Sequence, residues 1–159
     1  MSDAAPMRAK YPRLIPEIFG FACEDGWLGL LDDFFAVVDR ELAAGGVFKL
    51  RQVKEKMGGL RLYFDLDEMS PEAEVAIQDA SNRAEARSFE ICEECGQRGR
   101  LSNRKGYFTT VCAFHADIGE IKAVPVQREP FMIGSKDGWQ RYDFDLDAFV
   151  EAEPPKDQE

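Results

Sequence analysis

The sequence predicts an α+β fold in the order helix, β-hairpin, helix, then a Cys3His zinc ribbon, with a C-terminal β or irregular extension. Three observations predict it. Apolar residues between 27 and 42 recur at the three-and-four spacing of one buried helical face. Apolar and polar residues alternate from 60 to 67 directly after the glycine pair Gly58-Gly59. Cys92-x-x-Cys95 is followed, after 16 intervening residues, by Cys112-x-x-His115. A chain of 159 residues that is 45% apolar and 31% charged has the composition of one ordinary folded domain.

Residues 1 to 20 contain Pro6, Pro12 and Pro16 and read as an extended N-terminal arm. An α+β core is expected from 21 to 90. Asp25 is placed to cap a helix over 26 to 44, in which Trp27, Leu30, Leu31, Phe34, Val38 and Leu42 share the inner face. Gly45 and Gly46 end it. The stretch "VFKLRQVKEKMGGLRLYFDLD" then reads as two strands around Gly58-Gly59. Leu60, Leu62, Phe64 and Leu66 face inward and Arg61, Tyr63, Asp65 and Asp67 face water. Ser70-Pro71-Glu72 starts a second helix running to about 88. Its inner stripe of Ala73, Ile77, Ala80 and Ala84 is small enough for close packing on the sheet. The zinc ribbon spans 91 to 116. An extension over 117 to 150 is expected to pack on the core, and "WQRYDFDLDAFV" within it reads as one edge strand. There Asp143, Asp145 and Asp147 form a wet face offered to a protein partner. Residues 151 to 159 read as a disordered tail.

The net charge of -10 is unevenly spread. Residues 65 to 80 carry six acids and no base, whereas residues 98 to 105 carry four bases and no acid. Such a molecule is repelled by polyanions at long range, which excludes general coating of nucleic acid and favours a protein with a basic surface as partner. The basic island leaves a second possibility. Arg98, Arg100, Arg104 and Lys105 form a tip, beside which Tyr107 and Phe108 are placed to stack on exposed bases. The first twenty residues hold no apolar run after a basic start, and no membrane span is present. A cytoplasmic, reducing setting is therefore expected, in which paired cysteines serve metals more often than disulfides.

Cys92, Cys95, Cys112 and His115 are the candidate metal ligands, for one structural zinc per chain. Two rivals fit the same residues: a redox disulfide between Cys92 and Cys95, and Cys23 as fourth ligand in place of His115. Four protein ligands leave no open position for water, so the ion is expected to supply folding energy and not catalysis. With the only histidine committed, no imidazole is left for a Ser-His or Cys-His pair, and no catalytic residue is assigned. "KMGGLR" lacks the phosphate-loop order and reads as a turn.

Three segments, "EDGWLGLLDD" (24 to 33), "VKEKMGGLRLYF" (53 to 64) and "ICEECGQRGRLSNRKGYFTTVCAFH" (91 to 115), together resemble a family of small bacterial and phage or prophage zinc-ribbon proteins of unassigned function. In that family a Gly-Asp-Gly-Trp helix start, a Val-Lys-Glu-Lys-Phe-Gly-Gly-Leu-Arg-Phe-Tyr hairpin and a closing Cys-x-x-Cys-Gly, Cys-x-x-His pattern occur in this order. Here Glu24 stands for the first glycine and Met57 for the phenylalanine. The resemblance implies the α+β core with its ribbon and a phage or prophage setting, which suits an adaptor or inhibitor. It implies no reaction.

Overall fold

The computed structural model describes residues 1 to 156. They form two units, Met1–Val126 with two sheets and Gln127 onward with one. The fold is mixed α and β with small antiparallel sheets, as the helix and strand periodicities predict.

In the first unit the chain opens with a short helix α1 (Ala5–Lys10). This corrects the expectation of an extended arm. Ala4, Tyr11, Leu14 and Ile15 are buried in the main core, and Ser2 pairs with Phe21 through a 3.0 Å backbone hydrogen bond. Proline spacing suggested extension, but Pro6 lies in the first turn of α1, where its missing N–H is no loss. The segment is tied down by polar contacts as well. Tyr11 Oη donates to Asp32 Oδ1 at 2.6 Å, and Lys10 Nζ lies 2.8 Å from both oxygens of the same carboxylate.

A single 3₁₀ turn, Asp25–Trp27, leads into α2 (Leu28–Leu42), which buries Leu30, Leu31, Phe34, Phe35 and Val38. Asp25 lies within the 3₁₀ turn, and no side chain caps α2. The hairpin follows, β1 (Val47–Lys56) and β2 (Gly59–Asp67), with Lys56 opposite Gly59 and a bulge between Leu50 and Gln52. Gly58 at the turn has φ +81, in the left-handed region open to glycine. The helix α3 (Pro71–Ser88) starts where the sequence places it, with the Ser70 hydroxyl accepting from Ala73 N at 3.2 Å. Its buried alanines and Ile77 pack against α2 and β2. The aromatic centre of this core is Phe34, whose ring lies 5.3 to 6.2 Å from those of Phe35, Phe48 and Phe64.

The cysteine-rich segment adds β3 (Arg100–Arg104), β4 (Tyr107–Val111), a four-residue helix α4 (Ala113–Ala116) and β5 (Val124–Pro125), in the sheet order β4-β3-β5. Because β5 pairs with Ser102 and Asn103, the first unit ends after Val126 and not at 116, where the sequence patterns placed the boundary.

The second unit is an antiparallel meander: β6 (Met132–Ser135), β7 (Gly138–Asp143) and β8 (Ala148–Ala152). The single edge strand expected over 139 to 150 is thus a hairpin, and β7 is the central strand. Asp143 Oδ1 accepts from Leu146 N at 3.0 Å and Asp147 adopts φ 47, so two aspartates build a turn where alternation suggested one wet face. Glu151 and Ala152, expected in the disordered tail, complete β8. Residues 157 to 159 of that expectation lie outside the described residues. No helix among the described residues is long and apolar enough to cross a membrane.

Candidate metal centre

Two tight chain reversals bring the predicted ligands together. In the first, Gly96 N donates to Cys92 O at 2.9 Å and Cys92 N to Gln97 O at 2.7 Å, with Gly96 at φ +77. In the second, Cys112 occupies the N-cap position of α4 and His115 follows within the same turn. The ligand atoms of Cys92, Cys95, Cys112 and His115 all lie within 4.8 Å of one another. Cys95 Sγ and Cys112 Sγ are 3.8 Å apart, and His115 Nδ1 is 3.5 Å from Cys92 Sγ and 3.2 Å from Cys112 Sγ. A tetrahedral ion with bonds of about 2.3 Å to sulfur and about 2.0 Å to nitrogen requires edges of about 3.8 Å and about 3.5 Å. The donor set is therefore compatible with a single metal ion. The disulfide alternative finds no support, since the cysteines are free thiols. Cys23 lies buried outside the cluster, and burial pushes its thiol up to about 12, which makes it a neutral core residue.

The four ligands sit in unequal surroundings. Cys92 is fully buried, and burial raises its thiol above the ordinary range. The His115 backbone N–H, with its imidazole behind it, brings the Cys112 thiol down to about 6. Next to Cys92, burial raises the Glu93 carboxyl to about 6, against the opposing hydrogen bond from the Thr109 hydroxyl.

The segment is locked to the core by two glycine contacts that the sequence patterns did not assign to it. A Cβ on Gly26 would stand 2.1 Å from Cys92 O, and Gly26 N donates to Glu93 O at 2.8 Å. The indole N–H of the fully buried Trp27 donates to Ile91 O at 2.9 Å. On the other side, a Cβ on Gly58 would stand 2.3 Å from Leu101 Cδ1, while the buried Thr110 hydroxyl donates to Gly58 O at 2.7 Å. The segments 24 to 33, 53 to 64 and 91 to 115 thus converge on one joint. Helix-start, turn and ligand chemistry were each legible in the sequence, but their meeting was not, because local patterns carry no long-range distances.

The basic tip is less free than its composition suggests. Arg104 turns inward: it donates to Ile121 O at 2.6 Å, His115 O at 2.7 Å, Ile118 O at 2.9 Å and Ala116 O at 3.5 Å, closing the loop that carries the histidine. Arg98 pairs with Glu90 at 2.8 Å. Arg100, Lys105 and Tyr107 are exposed, and Tyr107 and Phe108, as neighbours on β4, project to opposite faces of the sheet. Beside the metal ligands lies an open depression of about 660 Å³ lined by Glu94, Arg104, His115 and the loop 118 to 121. In the second unit Asp147 accepts from Tyr142 Oη at 2.5 Å and Asp143 holds the turn, which leaves Asp145 as the exposed member of the predicted acidic set.

Neither a protein-family model nor a curated protein nor a solved structure matches the chain.

Proposed function

We propose that the chain is a non-enzymatic interaction module, an adaptor or inhibitor, in which Cys92, Cys95, Cys112 and His115 hold one structural zinc and the acidic surface meets a partner protein with a basic face. One observation carries the reading: all four donors are protein atoms gathered within 4.8 Å, so the donor set completes a tetrahedron without water. Three thiolates and an imidazole suit zinc, whose contribution here is folding energy. The net charge of -10 supports a basic partner, since complementary charge speeds encounter and disfavours polyanions. Nucleic-acid contact through the tip is the weaker alternative, because two of its four bases are already engaged within the fold.

Metal analysis of the purified chain is expected to give one zinc per molecule, and Cys112→Ser is expected to lose it with a marked fall in thermal stability. Immobilised protein is expected to retain a basic partner from the source cell at low salt and release it at high salt. A zinc-free, equally stable protein would remove the structural half of the reading; salt-indifferent capture, or a low-salt mobility shift of oligonucleotides abolished by Arg100→Ala, would remove the other.

A further inference from the structure

We propose that the outer edge of β2, from Leu62 to Leu66, receives an extended lysine- or arginine-bearing segment of a protein partner, which adds to the β1-β2 sheet as a third strand. This rests on the reading of the chain as an acidic interaction module and assigns the place where such a partner docks.

The direction of the backbone groups follows from three bonds. Val53 O accepts from Ala22 N at 2.9 Å and Glu55 N donates to Ala22 O at 2.8 Å, so both residues turn their polar groups away from β2. Their partners across the ladder are Leu62 and Leu60, whose groups must point out of the opposite edge. Leu60 N does so, donating to Ser88 Oγ at 2.8 Å. The two-residue period carries the same direction to Leu62, Phe64 and Leu66, and among the described residues these amides have no partner on that side. Ala22 occupies the β1 edge and the Ser88 hydroxyl closes the first rung of the β2 edge. The next rungs are open, in need of the carbonyl and amide that an added strand supplies.

An open groove of about 570 Å³ is lined by Leu62, Tyr63, Phe64 and Asp65 of β2, by Gln78 and Ser81 of α3, and by Arg51 and Gln52 of β1. No lysine or proline lies in β2 and the bulge is on β1, so the charges that guard this edge at its far end are the acids Asp65 and Asp67, which turn away acidic strands and not basic ones. Charge selects the occupant. Residues 65 to 80 hold six acids and no base, and among the described residues the exposed Asp67, Glu72 and Glu74 have no ion-pair partner. Asp65 is the partly neutralised member, bridged by Arg51. A second copy of the chain would set these same acids against one another, whereas a strand with bases at alternate positions would meet them.

The test uses the full-length, isotope-labelled chain and the peptide Lys-Val-Lys-Val-Lys-Val-Lys. Amide exchange at Leu62, Phe64 and Leu66 is expected to slow at least tenfold on adding the peptide. N-methylation of one alternate set of peptide amides is expected to weaken binding tenfold or more and of the other set hardly at all, because a strand pairs through one edge. Gln78→Trp, which fills the groove from an exposed position, is expected to abolish binding with thermal unfolding unchanged. The proposal is overturned if the three amides are not protected, if both methylated sets bind alike, if a glutamate-for-lysine peptide binds as well, or if the amides are protected by self-association without peptide. Should the edge stay unprotected while the immobilised chain still shows salt-sensitive capture of a basic protein, this docking site falls and the module reading stands.

Discussion

Gly26 and Gly29, three residues apart, use the missing side chain in different ways. A Cβ on Gly26 would stand 2.1 Å from Cys92 O and 2.6 Å from Glu93 C, so any side chain there displaces backbone. Gly29, three residues on in α2, would direct a Cβ into open space. Alanine at 26 is therefore expected to destabilise the protein by about 1 to 3 kcal/mol or more through overpacking against backbone, and to weaken metal retention in a chelator competition. Alanine at 29 is expected to stabilise by a few tenths to about 1 kcal/mol, because it removes glycine's entropy from a helix. Thermal unfolding of the pair decides the matter; equal effects at the two positions would contradict the joint described between the 3₁₀ turn and Cys92.

At the scale of elements, α2, the β1-β2 hairpin and α3 were legible because each carries its period openly, and the clustering of Cys92, Cys95, Cys112 and His115 because their spacing is chemical and not statistical. The failures have two causes: a tertiary contact that overrode a local cue, and a local turn that alternation concealed. Prolines suggested an arm, but Tyr11, Leu14 and Ile15 find the core. Alternation suggested one strand over 139 to 150, but a turn free of glycine and proline, built on Asp143 and Asp147, divides it. Arg104 read as a surface base because no sequence pattern shows a guanidinium satisfied by four carbonyls. The docked first helix carries its own pH signature. Hydrogen bonds from Lys10 and then Tyr11 lower the Asp32 carboxyl below its ordinary value of 3.8. A lowered folded pKa contributes stability that is present above the unfolded value and is lost as pH falls through the folded one. Wild type is thus expected to exceed Asp32→Asn in stability at neutral pH and to converge with it in acid, as pH falls through the lowered folded value beneath 3.8. The Cys3His cluster is the same in both proteins and cancels from the difference, which denaturant unfolding at stepped pH measures. A gap that persisted unchanged into acid would mean that Asp32 holds α1 by packing and not by charge.

Across the first unit, burial is divided very unequally. The main core gathers Trp27, five buried phenylalanine, leucine and valine side chains of α2, and the inner faces of the hairpin and α3, whereas the second cluster consists of Cys92 with Val111, Ala116 and Ala123. The segment from 91 to 126 thus has a small apolar cluster of its own, and under the proposed function a bound zinc would add folding energy to it. Chelation is therefore expected to release the segment first. Amide protection should fall at Gly26, Cys92 and Glu93, whose bonds to Glu93, Gln97 and Thr110 depend on the ligand turns. It should persist at Phe34, Phe35 and Val38 until the main core melts. Hydrogen exchange with and without chelator, read residue by residue, separates the outcomes: simultaneous loss throughout would make the ion a keystone of the whole unit, and unchanged protection at Cys92 would mean that the joint at Gly26 and Gly58 holds the segment without metal.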